Sequence, residues 1–171
     1  SRFDLSRQCT EEALAYAQRA GDRRMEMLAN RGLGNICSRL GRPDESRVFQ
    51  ERSLSIARSI GDRDGEAAAT INLGICFATA GDFEASEDFY QRGIRLAREA
   101  GNRRWESNAV GNLGSLKWRR GYLADAQARL EQRLAIDREI GNRQGECHGI
   151  HDLGLVHLAC GRNAEAKKLG E

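Results

Sequence analysis

The chain has 171 residues, 40% hydrophobic and 30% charged, a balance that excludes a disordered tail and places it among folded globular chains. Its 27 basic and 25 acidic residues are well mixed and leave a formal charge of +2, without the concentrated basic face that nucleic acid or an anionic membrane requires. No apolar run reaches the roughly 18 residues of a membrane span. The five cysteines (Cys9, Cys37, Cys76, Cys147, Cys160) are odd in number and irregularly spaced, as suits free thiols in a reducing, cytoplasmic compartment.

Residues 4–20 read as a helix, with Leu14-Ala15-Tyr16-Ala17 aligning to Leu54-Ser55-Ile56-Ala57 forty positions later. At Gly21-Asp22-Arg23 a unit opens that recurs in register at Gly61-Asp62-Arg63, Gly101-Asn102-Arg103 and Gly141-Asn142-Arg143. Each opening is followed by a glutamate (Glu26, Glu66, Glu106, Glu146) and a Leu-Gly pair (Leu33-Gly34, Leu73-Gly74, Leu113-Gly114, Leu153-Gly154). A turn glycine then closes the first half of each copy (Gly41, Gly81, Gly121, Gly161). A fixed period in this range marks a solenoid, whose units stack because none can bury its apolar face alone.

The second copy shows how a unit is built. Asp62 is predicted to cap a helix N-terminus, and Glu66 suits the helix dipole. Ala69, Leu73, Cys76, Phe77 and Ala80 recur at helical spacing, and Gly81 ends the helix. Asp82 caps a second helix that runs to Ala100, where Gly101 and Asn102 repeat the punctuation. In the first copy Pro43 falls in a first helical turn, which tolerates it. The glycine of each Leu-Gly pair admits close approach of the second helix, and the small residues Ser46, Ser86, Ala126 and Ala166 serve the same contact. Phe49, Phe83, Phe89, Ile56, Leu96 and Ile136 fall at core spacing, whereas Trp105 is either a packing residue or an exposed anchor.

The chain is therefore expected to be all-α, an α-solenoid of antiparallel helix pairs in a single array. It divides into a partial leading repeat (4–20), repeats at 21–60, 61–100 and 101–140, and a truncated repeat at 141–171. Ends that cut through a unit are expected of a fragment of a longer array or multidomain protein, and open ends would permit self-association.

These residues resemble the tetratricopeptide repeat, with its helix–turn–helix unit, Leu-Gly pair and small residue on the second helix. The forty-residue period is similar to the long-helix subtype of LGN- and Pins-type scaffolds and bacterial multidomain regulators. The second-helix aromatic of the family appears as Tyr90 but is Gln50 and Leu130 in the neighbouring copies. The resemblance implies a right-handed superhelix whose first helices line a concave groove that holds an extended or helical peptide. On that register the first copy offers Arg31, Asn35 and Arg39, and the second Ile71, Asn72 and Ile75. The third offers Asn108, Asn112, Ser115, Trp118 and Arg119, and the fourth His148, His151 and Asp152. The asparagines suit a peptide backbone, the arginines an acidic segment, and Trp118 a hot-spot anchor. Arg31, Asn35 and Asn72 partly resemble a carboxylate clamp, but Asn108 and Asn112 stand where that clamp is basic.

The competing readings are weaker. Cys147, His148, His151, His157 and Cys160 share one helix, but at 100° per residue His157 and Cys160 lie largely away from Cys147 and His151, so no closed metal site is expected. No phosphate loop, dinucleotide fingerprint or His-Glu-x-x-His motif is present, and no group orients a Cys–His nucleophile. The expectation is a protein–protein interaction scaffold without cofactor or catalytic residues. The alternatives are a regulatory or sensor segment binding a peptide or adjoining domain in cis, and a self-associating structural solenoid.

Overall fold

The computed structural model describes residues 2–168, so Ser1 and the last three residues of the truncated repeat lie outside the described residues. Among the described residues all regular structure is helical. The helices are α1 (Arg2–Ala20), α2 (Arg23–Arg39), α3 (Pro43–Ile60), α4 (Arg63–Ala80) and α5 (Phe83–Glu99), then α6 (Arg103–Arg119), α7 (Leu123–Glu139), α8 (Arg143–Ala159) and α9 (Asn163–Lys168). They fall into two compact units, Ser1–Ala100 and Gly101–Glu171. In the first, each helix from α1 to α5 packs on the next, and α2 also touches α4. In the second, α6 to α9 pack in the same consecutive way, and α6 touches α8.

The punctuation read from the repeat is what sets these ends. Gly61 and Gly81 adopt φ of 70° and 85°, the left-handed region that favours glycine, and each releases the chain into the next helix. Asp22, Asp62, Asp82, Asn102 and Asn142 accept the backbone N–H of the residue three ahead, at 2.7–3.2 Å. α3, which follows Arg42 and begins on Pro43, and α7, which follows Tyr122, start without such a cap.

The repeated glutamate does more than meet the helix dipole. Glu26 pairs with Arg23 at 2.6 Å, Glu66 with Arg63 at 3.3 Å, and Glu106 with Arg103. Glu66 also takes Arg58 of the preceding helix at 2.9 Å. The recurrent arginine and glutamate are thus one device that fastens a first helix to its own turn.

Leu33, Leu73, Leu113 and Leu153 are buried, and Gly34, Gly74 and Gly114 each open a slot for a side chain of the second helix. A Cβ at Gly74 would lie 2.6 Å from Tyr90 Cε1, and one at Gly114 would lie 2.9 Å from Leu130 Cγ. Gln50 fills the matching slot over Gly34. The small residues of the second helix are donors as well as fillers: Ser46 Oγ donates to the Gly34 carbonyl at 2.8 Å, and Ser86 Oγ to that of Gly74 at 2.9 Å. A buried carbonyl given a second partner costs less to desolvate.

Ile56 and Ile136 are buried as expected, but Phe49, Phe83, Phe89 and Leu96 are only half-buried. They lie at the margin of the core, where Phe89 stacks on Phe77 with centroids 5.0 Å apart and Arg92 covers its outer face. Trp105 is half-buried at the start of α6.

Candidate functional site

In the first unit, α2 and α4 carry the predicted residues of copies one and two. Asn35 Oδ1 accepts from Gln50 Nε2 at 3.0 Å and from Asn72 Nδ2 at 3.1 Å. Asn72 Nδ2 also donates to Gln50 Oε1 at 3.2 Å, and Gln50 Nε2 to the Arg31 carbonyl at 3.2 Å. Three amides from three helices thus form one cluster. Gln50 is buried beneath it, Asn72 is half-buried and Asn35 exposed. With those bonds made, Asn35 presents amide N–H donors and Asn72 a carbonyl oxygen, side by side on the surface.

Arg31 is half-buried beside this cluster. Burial desolvates its guanidinium and lowers the pKa, while the Asp62 carboxylate opposes the shift. Arg39 is exposed at the end of α2 and Ile75 is half-buried. Ile71 requires correction: at 1% exposure it is core, not groove. It fills the space over Gly93, where a Cβ would come within 2.5 Å of Ile71 Cγ1.

In the second unit, Ser115, Trp118, Arg119 and Asp152 meet with Leu130 and Leu155 around a pocket of ≈ 90 Å³. Trp118 is 38% exposed, an indole that is neither buried core nor free side chain. Ser115 Oγ donates to the Gly111 carbonyl at 3.1 Å, so its hydroxyl serves the helix. Asn108 and His148 line a second, polar pocket of ≈ 250 Å³ with Arg104, Arg133, Asn142, Gln144 and Gly145. Asn112 is half-buried and His151 exposed, and neither lines these two pockets.

Arg133 and its partner Asp137 escape the sequence reading, as does the role of Gln50. Arg133 Nε donates to Asp137 Oδ2 at 3.4 Å and its Nη1 to Asp152 Oδ2 at 3.5 Å. Asp137 is fully buried and accepts from Ser107 Oγ at 2.7 Å and Asn142 Nδ2 at 2.8 Å. The signal is present in the aligned copies. Arg133 falls in register with Ser53 and Gly93, and Asp137 with Ala17, Ala57 and Ala97.

His157 turns into the core, away from the exposed Cys147, His148 and His151, but Cys160, expected on the side of His157, is exposed and lies just past the end of α8. Burial pushes the Cys37 and Cys76 thiols up, which leaves them protonated and poorly nucleophilic. No helix among the described residues is long and apolar enough to cross a membrane.

These features define an all-α protein of stacked helix–turn–helix repeats. Residues 24–99 and residues 108–132 each match a family described as tetratricopeptide repeat, and the chain carries tetratricopeptide repeats. No curated protein sequence matches the chain. Among solved structures it is similar to BtubC (BKLC) from P. vanneervenii, at 24% identity and a TM-score of 0.81, covering 99% of this chain and 70% of that one. It is also similar to a Rap protein complexed with competence and sporulation factor, at 14% identity and a TM-score of 0.90 over 98% of this chain. A third likeness is to a signal transduction ATPase with numerous domains and a tetratricopeptide repeat sensor, from Pyrococcus horikoshii, at 14% identity and a TM-score of 0.77, again over 98% of this chain. The chain spans 47% of the Rap protein and 28% of the ATPase. At these identities the likeness is one of fold, the TPR-like α-solenoid.

Proposed function

We propose that this chain is a protein–protein interaction scaffold that binds a peptide segment of its partner along the first helices of its repeats. The observation that carries the reading is the amide cluster of Asn35, Gln50 and Asn72. Gln50 is buried and locks the two asparagines, so a donor and an acceptor stand ready for one peptide unit without loss of side-chain entropy on binding. Trp118 supplies an anchor beside its small pocket, and Arg31, Arg39 and Arg119 favour a partner with an acidic segment. Asn108, Asn112, His148, His151 and Asp152 are the further candidates that the second unit offers. The forty-residue period supports membership of the long-helix, LGN- and Pins-type subtype, and the free thiols support a cytoplasmic setting. The role is binding, without catalysis.

The test is a displayed peptide library panned on the protein. Selected peptides should bind the parent and lose binding to a variant changed at Arg31, Asn72, Asn112 and Trp118 to alanine, with helical content unchanged. Binding that survives the four changes refutes the groove. A second reading, a sensor segment engaging a peptide or an adjoining domain in cis, is favoured by the fold likeness to the tetratricopeptide sensor of the signal transduction ATPase. It predicts that the selected peptides resemble sequence within the same polypeptide.

A further inference from the structure

The third repeat departs from the others where a departure is costly. A buried ion pair is a poor way to gain stability, because desolvation consumes most of the attraction. Yet α7 places Arg133 and Asp137 where α5 has Gly93 and Ala97. The first helix changes in concert. Gly111 replaces Ile71, and a Cβ there would lie 2.6 Å from Arg133 Cδ. The gap left by the missing side chain is the passage through which Arg133 runs from α7 towards α6 and α8.

The guanidinium at the end of that passage is oriented but not saturated. Asp137, immobilised by Ser107 and Asn142, holds Nε at 3.4 Å, and Asp152 approaches Nη1 at 3.5 Å. Both distances are long for charge-assisted bonds, which run about 2.7–2.9 Å. The pocket that Arg133 enters is also lined by Arg104, Asn108, Gln144 and His148, and by no acidic side chain. Two cations and the amides of Asn108 and Gln144 therefore converge on ≈ 250 Å³ of space, while the third lining amide, Asn142, is engaged by Asp137 and the Gly145 N–H.

We propose that this pocket receives a carboxylate, the side chain of an aspartate or glutamate in the bound peptide. Arg133 and Arg104 supply the opposing charge, Asn108 and Gln144 supply amide N–H donors, and Asp137 is the positioning residue that aims Arg133. The inference rests on the peptide-binding reading and names the acidic position within it.

The probes are N-acetylglutamate amide, its glutamine counterpart and inorganic phosphate, titrated against the isotopically labelled protein while the Gly145 and His148 amide resonances are followed. The glutamate probe should shift them saturably and the glutamine probe should not. Two variants remove the site. Arg104→Ala deletes an exposed cation, and Gly111→Ile with Arg133→Gly and Asp137→Ala gives these three positions the residues of the second repeat. Each should weaken the glutamate probe by roughly tenfold or more, the loss of one charge-assisted contact. Equal response to glutamate and glutamine, or a glutamate response unchanged in both variants, overturns the proposal. Saturation by phosphate without response to glutamate also overturns it, in favour of a phosphoryl site. None of these failures touches the library-selected peptides, whose dependence on Asn72 tests the groove itself.

Discussion

In α4 and α5 the large side chain belongs to the first helix, Ile71, and the second helix yields with Gly93 and Ala97. In α6 and α7 the first helix yields at Gly111, and the second sends Arg133 across with Asp137 behind it. The same repeat geometry is satisfied both ways, because packing asks that volumes be complementary and not which helix provides them. The consequences differ. The apolar arrangement ends at a surface of neutral amides, Asn35 and Asn72, whereas the ionic one places a guanidinium in a polar pocket. Repeats that share a fold thus differ in the chemistry their surfaces offer.

The largest expected effect comes from breaking the ionic arrangement on one side only. Arg133→Met leaves Asp137 buried with neutral partners alone, and Asp137→Ala leaves Arg133 without the carboxylate at its Nε. Arg133→Met should cost about 3–5 kcal/mol, the usual penalty for orphaning one member of a buried pair, and Asp137→Ala less, because Arg133 keeps Asp152 and opens on the pocket. The triple change Gly111→Ile, Arg133→Gly, Asp137→Ala should recover part of that loss, since it restores complementary volumes between α6 and α7 but leaves the buried Ser107 hydroxyl without its acceptor. Urea denaturation of the singles and the triple measures this directly. If the singles cost under about 1 kcal/mol, the pair is not the buried interaction its geometry describes.

How far the sequence discloses this depends on how many residue types each position tolerates. Helix ends are legible because a positive-φ turn and an N-cap each admit a very short menu, so Gly81-Asp82 and Gly101-Asn102 announce themselves. Ile71 misleads because the position that holds the half-buried Arg31 in one copy is core in the next, and only Gly93, on another helix, decides between them. Gln50 reads as a lost aromatic, although its amide is what ties Asn35 to Asn72. Arg133 is missed for the opposite reason. Second-helix positions are treated as packing, and a charge among the Ser53 and Gly93 equivalents signals function only when Gly111 is read with it.

Of intermediate size is the slot beneath the Leu-Gly pairs of the second and third repeats, which sharpens the contrast between them. Gly74→Ala forces its methyl to within 2.6 Å of the Tyr90 ring, a rigid buried group, and should cost about 1–3 kcal/mol. Gly114→Ala meets Leu130 at 2.9 Å, a side chain that can change rotamer, and should cost about 1 kcal/mol or less. Melting temperatures of the two variants should fall in that order. The reverse order would mean that the third repeat is the more tightly packed of the two.

The smallest effect concerns how the second helices start. Asp82 caps α5 by accepting from the Ala85 N–H at 3.0 Å, whereas α7 follows Tyr122, whose ring caps nothing and lies 49% exposed between Lys117 and Arg120. Tyr122→Asp would add a side-chain acceptor at that end, worth about 1 kcal/mol. It would also give up two exposed cation–π contacts, each worth about 0.5 kcal/mol or somewhat more. Because the new carboxylate would still attract Lys117 and Arg120 and would meet the positive end of the helix dipole, the net change should be a stabilisation of about 0.5 kcal/mol. The converse change, Asp82→Tyr, meets Phe77 and Ala80 where Lys117 and Arg120 stand in the third repeat, and should cost about 1 kcal/mol. If Tyr122→Asp instead destabilises, the ring and its two cations are what hold this turn, and the two repeats differ in their joints as well as in their cores.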